Sequence, residues 1–551
     1  MSRIAMVLGS LWAVTFSSVV LPATAAAINA DPSNYRAFVS TLKPGDTLHL
    51  APGRYPRLAI TSLNGTPATW ITIQGPASGS PAVIVGAPGY NTVEILNSSY
   101  VAIENLRIDS LGIPGAFGIS ARGAEDNLTH DIRIEGNILV GQNGGQQTDG
   151  ISTKTPTWGW IIRNNQILGA GTGLYLGDSD GTQPFVNGII ENNLIRNTIG
   201  YNIEIKDQIS IPAIPDMPLG PSSTIIRNNV FIKNDQPSPD GDRPNLLVGA
   251  FPSAGAGSLN MYEIYGNFFF HNHREALLQA SGRVSVHDNI FVDGPYTYPA
   301  VVLRSQNYAL EIAHVYNNTV YTYGRGIYFG TRALIDDAVV GNLVFAGTPI
   351  SGSITNQSDN MVDSVDKATT YVNSPSFDLG SMDFYPLRSR CLGVPIDLSP
   401  VRSDADYTLD FNGTPKTDIK NAVVFRGAYA GEGPNPGWPL QGQNKPANAS
   451  SRSPAAYLVW ISPDGAQAGT NATFTLTGAN FDPEAVVSVS GVGVMISRVM
   501  VRSGTELTAS FNIASTAAPG IREVMVKEPF GGSNALRFRV RSRPGPNGVR
   551  K

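Results

Sequence analysis

A chain of 551 residues with a net charge of −4 and only 15% charged side chains lacks the basic balance of a nucleic-acid binder. Its single cysteine, Cys391, excludes an internal disulfide and a cysteine-rich metal centre, and reads as a small buried thiol. The 58 glycines and 39 prolines suit a turn-rich all-β protein. Residues 1–27 read as a secretory signal: Arg3 opens it, Ile4 to Leu21 is mostly apolar, and Ala23-Thr24-Ala25 or Ala25-Ala26-Ala27 offers the small-x-small cleavage pattern. No later stretch is long and apolar enough to span a bilayer, so the mature chain is expected to be secreted or held at the cell surface without membrane insertion.

Residues 34–42 predict a short amphipathic helix, with Tyr35, Phe38, Val39 and Leu42 on one face, placed to cap a first coil. Pro44-Gly45-Asp46 is a turn, Thr47 to Leu50 a strand, and Pro52-Gly53 a second turn. Then one phrase recurs: IRIEGNILV (132–140), IIRNNQIL (161–168), IIENNLI (189–195), IIRNNVFI (225–232), EIYGNFFF (263–270), SVHDNIFV (285–292), HVYNNTVY (314–321) and VVGNLVFA (339–346). Short β-forming runs flank a polar corner, and self-similarity of this kind marks a solenoid. Aligning Asn105, Asn137, Asn165, Asn193, Asn229, Asn267, Asn289, Asn318 and Asn342 predicts an asparagine ladder at that corner. The coils occupy residues 28–430. Residues 431–456, rich in Gly, Pro, Asn, Gln and Ser, read as a flexible linker. Residues 457–541 carry short alternating strands at sandwich-like spacing, and 542–551 form a basic tail expected to be disordered.

The apolar-x-Asn-x-apolar phrase resembles the right-handed parallel β-helix repeats of the pectate-lyase-like superfamily, over about residues 35–395. The C-terminal unit, from ISPDGAQAGTNATFTLTGANF to PFGGSN, is similar to the IPT/TIG immunoglobulin-like family. The expected fold is thus an all-β chain: a right-handed single-stranded parallel β-helix, then a small immunoglobulin-like β-sandwich. The first resemblance implies polysaccharide as the partner, but lyases, hydrolases, epimerases and non-catalytic binders share that scaffold.

Three segments stack if Ile151, Leu174 and Ile203 point inward: DGISTK (149–154), TGLYLGD (172–178) and YNIEIKD (201–207). Alternation then turns Ser152, Tyr175 and Glu204 outward, beside Lys154, Gly177 and Lys206, with Asp149, Asp178, Asp180 and Asp207 in the adjoining turns. Longer loops at 141–148, 178–186, 208–223 and 234–244 flank them. One chemistry that fits is β-elimination on a uronic-acid polysaccharide. Lys206 or Lys154 would serve as a base of lowered pKa, Arg243 or Arg274 would neutralise charge, and Glu204 and Asp149 would act beside them. Tyr175, Arg274, His271 and His273 are the expected substrate contacts. Asp178 and Asp180 are the expected metal ligands, for calcium. A second reading is a non-catalytic carbohydrate-binding or adhesion protein. A third is a glycoside hydrolase: Thr148-Asp149-Gly150 resembles the polygalacturonase pattern, but no adjacent Asp pair and no Gly-His-Gly accompany it. The chain is expected to act as a monomer.

Overall fold

The computed structural model describes residues 25–122, 128–294, 297–417, 422–446, 456–479, 481, 485–503, 506–528, 531–533 and 535–542. Residues 1–24, most of the stretch expected to be a secretory signal (1–27), and residues 543–551 of the expected basic tail lie outside the described residues. No helix among the described residues is long and apolar enough to cross a membrane.

Parallel strands stack into three faces. The first is a 13-stranded sheet running from Ala27–Ala30 to Gln357–Ser358. The second and third form two columns of a 21-stranded sheet. The second face includes Gln166–Leu168, Leu194–Arg196, Val230–Ile232 and Phe268–Phe270, and the third includes Asp149–Lys154, Thr172–Leu176, Ile203–Ile205 and Leu246–Val248. Inward positions carry β-branched and aromatic residues, which fit a pleated, buried surface. Ile134, Ile162, Ile190 and Ile226 line the first face with no solvent exposure. Phe231, Phe269 and Phe291 stack along the second at 4.7 and 4.6 Å. The short helix is Tyr35–Val39; Tyr35, Val39 and Leu42 are buried over the first coil.

The corner between first and second faces explains the recurring phrase. Asn193 donates from its backbone N and its Nδ2 to Asn229 Oδ1 at 3.0 and 2.9 Å, and from Nδ2 to Ile162 O at 2.8 Å. Asn229 repeats this toward Asn267, and the chain of bonds runs from Asn137 to Asn360. The residue before each ladder asparagine has positive φ: Gly136 (67°), Asn164 (57°), Asn192 (56°), Asn228 (55°), Gly266 (64°), Asp288 (51°), Asn317 (49°), Gly341 (66°) and Asp359 (56°). That conformation favours Gly, Asn and Asp, so the pairs GN, NN and DN recur for a backbone reason. Asn105 is a correction. It occupies this left-handed position (φ 54°), while Leu106 takes the ladder place and its backbone N donates to Asn137 Oδ1.

After residue 363 the chain turns back along the outside of the coils. Val372–Ser374 pairs with Asp383–Pro386, and Phe384, Phe411, Tyr429, Trp438 and Leu440 bury the outer side of the second face. Ile396, Leu398 and Val401 pack on Tyr316 and Ala338 of the first face. The expected flexible linker is corrected here over residues 431–446. Asn444 Nδ2 donates to Asn165 O and Asn192 O, and Lys445 is 1% exposed. Polar composition suggested a linker, but these polar groups complete the outer edge of the ladder corner. Neither cluster that pins the return segment includes a third-face residue.

The C-terminal unit is a small β-sandwich. Tyr457–Ser462, Asn471–Ala479, Glu506–Ile513 and Val494–Ser503 form an antiparallel sheet, and a second sheet is built on Leu536–Arg541, Gly520–Glu528 and Val486–Val489. Phe474, Phe511 and Phe538 pack between them.

Candidate functional site

On the third face the strands pair with Ile151 opposite Leu174 and Leu174 opposite Ile203; Ser152, Tyr175 and Glu204 align beside them. All three inward residues are fully buried, so the outward row is set by alternation. Lys206 Nζ lies 2.8 Å from Glu204 Oε1. Lys154 Nζ and Lys206 Nζ stand 4.9 and 5.5 Å from the Tyr175 ring centroid, so the phenol lies between two ammonium groups. Gly177 (φ 93°) separates the lysines, and a side chain there would come within 3.2 Å of Lys206 Cβ.

Tyr201, which the sequence reading passed over, completes the group. It precedes Ile203 by two residues in YNIEIKD, and only the coil geometry turns it toward Glu204. Burial pushes its phenol well above the usual range, with the Glu204 charge and hydrogen bond adding to the rise and Arg243 opposing it. The Arg243 guanidinium lies 5.6 Å from the Tyr201 ring and donates to the carbonyls of Asp240 and Asp242. The loop that carries it is tied across the face: Gln146 Nε2 donates to Gly241 O at 2.8 Å, and Asp240 N donates to Gln146 Oε1 at 3.0 Å.

Two pKa shifts define the electrostatics. Burial acts to lower the Lys206 ammonium, but the Glu204 charge and hydrogen bond outweigh it, and the net shift is upward. The lowered pKa expected for Lys206 as a base is therefore not what the site provides. Here Lys206 is a fixed cation, because its nearest partner is a carboxylate rather than another cation. Asp149 is 2% exposed. Burial pushes its carboxyl up to about 7; Lys154 and Ser152 oppose the rise and Glu204 adds to it. Asp149 Oδ2 and Ser152 Oγ are buried with no well-formed hydrogen bond. The face thus offers two ammonium groups, a guanidinium, a neutral phenol and two carboxyls of different environment. That set can bind an anionic group and move a proton beside it.

The other expected residues fall outside this group. Asp178 Oδ1 accepts from Ser179 N, and Asp180 Oδ1 accepts from Thr182 N and Oγ1, so each is engaged within its own turn. Arg274 faces Asp242 at 3.8 Å, on the side of the 234–244 loop. His271 and His273 lie with Asp235 at the corner between second and third faces, and among the described residues this is where three His, Cys, Asp or Glu ligand atoms gather within 4.8 Å. At the N-terminal end of the third face, beside Leu58–Thr61, Arg36, Arg54, Arg57, Tyr35 and Tyr90 line a cavity of about 930 Å³. Arg57 there meets Glu94 at 3.2 Å and lies 4.4 Å from the Tyr90 ring centroid.

Residues 149–363 match the family model of a right-handed β-helix region, and the fold is a right-handed parallel β-helix. No curated protein matches the sequence. Among solved structures, the chain is similar to the PL6 family alginate lyase AlyGC (TM-score 0.40, 16% identity, 61% of this chain), and it spans 51% of that protein's length. It is also similar to the periplasmic alginate epimerase AlgG (TM-score 0.30, 11% identity, 61% of this chain and 83% of that chain). A third is the tailspike protein gp49 from Acinetobacter baumannii bacteriophage Fri1, a capsular polysaccharide depolymerase (TM-score 0.26, 9% identity, 94% of this chain and 79% of that chain).

Proposed function

We propose that the third face is the groove of a polysaccharide lyase that cleaves a uronic-acid-containing chain by β-elimination. The observation that supports this reading is the cluster of Tyr201, Glu204 and Lys206 beside Arg243, on the face that the return segment leaves uncovered. A sugar carboxylate entering the groove meets Lys206, Lys154 and Arg243. By taking over Lys206 it releases Glu204 from its ion pair. Glu204 then removes the proton α to the neutralised carboxylate. That C–H bond pair becomes the new C=C bond, the glycosidic C–O bond breaks, and its electron pair leaves on oxygen. The Tyr201 phenol protonates that oxygen, and Glu204 returns its proton to Tyr201. The raised pKa of Tyr201 keeps the phenol protonated until the leaving group needs it. The arginine-lined cavity farther along the same face would seat another acidic sugar of the chain.

The protein in this reading is exported by residues 1–27 and works as a monomer. The C-terminal sandwich serves as an IPT/TIG-like accessory module, and calcium is an optional bridge between sugar carboxylates and the groove. Incubating the mature protein with pectic, alginate and glycosaminoglycan substrates, with calcium and with chelator, tests it. An ultraviolet-absorbing unsaturated product is expected, and Lys206→Met or Tyr201→Phe should lower kcat/KM by at least about 100-fold while circular dichroism is unchanged. New reducing ends without that absorbance would mean a hydrolase. Binding without cleavage would leave the third face as a recognition surface only.

A further inference from the structure

Asp235, His271 and His273 lie apart from that cluster, at the corner where the second face turns into the third. The pairing of Val230–Ile232 with Phe268–Phe270 in register places the residues after each strand side by side on adjacent coils. Asn272 fixes how the two histidines point. It is 1% exposed, its Nδ2 donates to Arg243 O and Asn245 Oδ1, and its Oδ1 accepts from Arg274 N and Glu275 N. With Asn272 held inward, His271 and His273 both turn out. Their rings lie 6.2 Å apart and 13° from parallel. His271 holds a φ of +64°, a conformation that a non-glycine residue adopts at a cost.

The ligand atoms converge. Asp235 Oδ1 is 2.9 Å from His271 Nε2 and 3.5 Å from His273 Nδ1. Behind His271 sits Asp293, fully buried, with Oδ1 3.9 Å from His271 Nδ1 and Oδ2 without a hydrogen-bond partner. Asp293 Oδ1 accepts from Asn272 N and Gly294 N, so this carboxyl fixes the backbone between the two histidines and lies on the Nδ1 side of His271, while Nε2 faces Asp235.

We infer that Asp235, His271 and His273 form a site for one zinc-class transition-metal ion, with Asp293 as the positioning carboxylate for His271. Two imidazoles and one carboxylate suit zinc, cobalt or nickel, whereas calcium and magnesium take oxygen ligands. Asp235 opens the 234–244 loop, whose Arg243 carbonyl is held by Lys233 Nζ and Asn272 Nδ2. A metal at this corner fastens the base of the Arg243 loop to the next coil.

The test uses the full mature chain, stripped with chelator and dialysed. Cobalt(II) titration should give visible d–d absorption saturating at one ion per chain. Zinc should displace that signal, and a large excess of calcium should not. Zinc should also raise the thermal midpoint of the wild type. His273→Gln and Asp235→Asn should abolish both responses, and His271→Asn, whose asparagine tolerates the same backbone, should do likewise. Asp293→Asn should weaken cobalt binding by roughly 10- to 100-fold while leaving the stoichiometry at one. If no stoichiometric cobalt or zinc binding is seen, or if binding survives both His273→Gln and Asp235→Asn, the cluster is a hydrogen-bonded His–Asp group and the inference is overturned.

Discussion

Two lysine–carboxylate clusters in this chain have similar chemistry and opposite surroundings. Under the return segment, Lys416 Nζ meets Asp288 Oδ2 at 2.6 Å. Lys445 Nζ donates to Asn228 Oδ1, Gly266 O and Phe411 O at 2.9, 2.9 and 2.6 Å. Burial drives Lys445 down to about 7, partly offset by Asp410 and Asp288. On the third face, the Lys206 side chain is 23% exposed and reaches solvent, and it pairs with Glu204, whose side chain is 7% exposed. The enclosed cluster is the more strongly perturbed, yet Lys416 and Lys445 are 2% and 1% exposed, so no polymer can reach them. A shifted pKa marks a functional site only where a substrate has access. In the closed cluster the same groups act as a cross-link between the return segment and the coils.

Exchanging the two lysines for methionine separates these roles most strongly. Lys445→Met leaves Asn228 Oδ1, Gly266 O and Phe411 O without this donor. It should cost about 2–4 kcal/mol in urea unfolding, with unchanged turnover per folded molecule. Lys206→Met leaves the Glu204 carboxylate, 7% exposed, without its cation and should cost about 1–3 kcal/mol, while turnover collapses. If Lys206→Met unfolds the protein instead, the third-face pair is structural too and the contrast fails.

The ladder corner tests the same contrast with neutral groups. Asn229→Ala strips the acceptor from Asn193 N and Nδ2 and the donor from Ile190 O. With a small cavity added, the expected loss is about 2–4 kcal/mol by urea unfolding, without a change in KM for the folded fraction. A loss below about 1 kcal/mol would show that the stack tolerates a missing rung.

The ladder was legible because the coils from Asn137 onward repeat one local requirement, a left-handed residue followed by an asparagine. It slipped by one residue at Asn105, where the left-handed position is itself an asparagine and Leu106 stands in the ladder place. It also omitted Asn360, which accepts from Asn342 N and Nδ2. Alternation was enough to place Ser152, Tyr175, Glu204, Lys154 and Lys206 on one face. Docking between remote parts of the chain was not legible. The 431–446 stretch has a linker's composition, but Lys445 reaches Asn228, 217 positions away. Asp235 and His271 are 36 residues apart and meet through one strand pairing that no local motif encodes. Tyr201 was one tyrosine among 20, distinguished only by its neighbours in space.

Asp149 gives the finest test, because it carries an enclosed environment into the accessible face. Burial raises its folded pKa to about 7, whereas in the unfolded chain it titrates near its ordinary 3.8. Between pH 4 and 7 the native state keeps a proton that the unfolded state has released. Stability therefore falls as pH rises through that window and levels off above it. Asn at this position has no proton to hold. Asp149→Asn should match the wild type near pH 4 and become more stable by about 1–2 kcal/mol at pH 8, since relaxation and water entry reduce the roughly 1.4 kcal/mol carried by each pKa unit. The other buried carboxyls contribute equally to both proteins and cancel in the difference. The same substitution should remove any limb near pH 7 from the kcat/KM profile. A stability gain at pH 8 with full activity retained would make Asp149 a tolerated buried acid outside the chemistry. A gain accompanied by loss of that limb would identify a carboxyl kept at a cost in stability because the groove uses its proton.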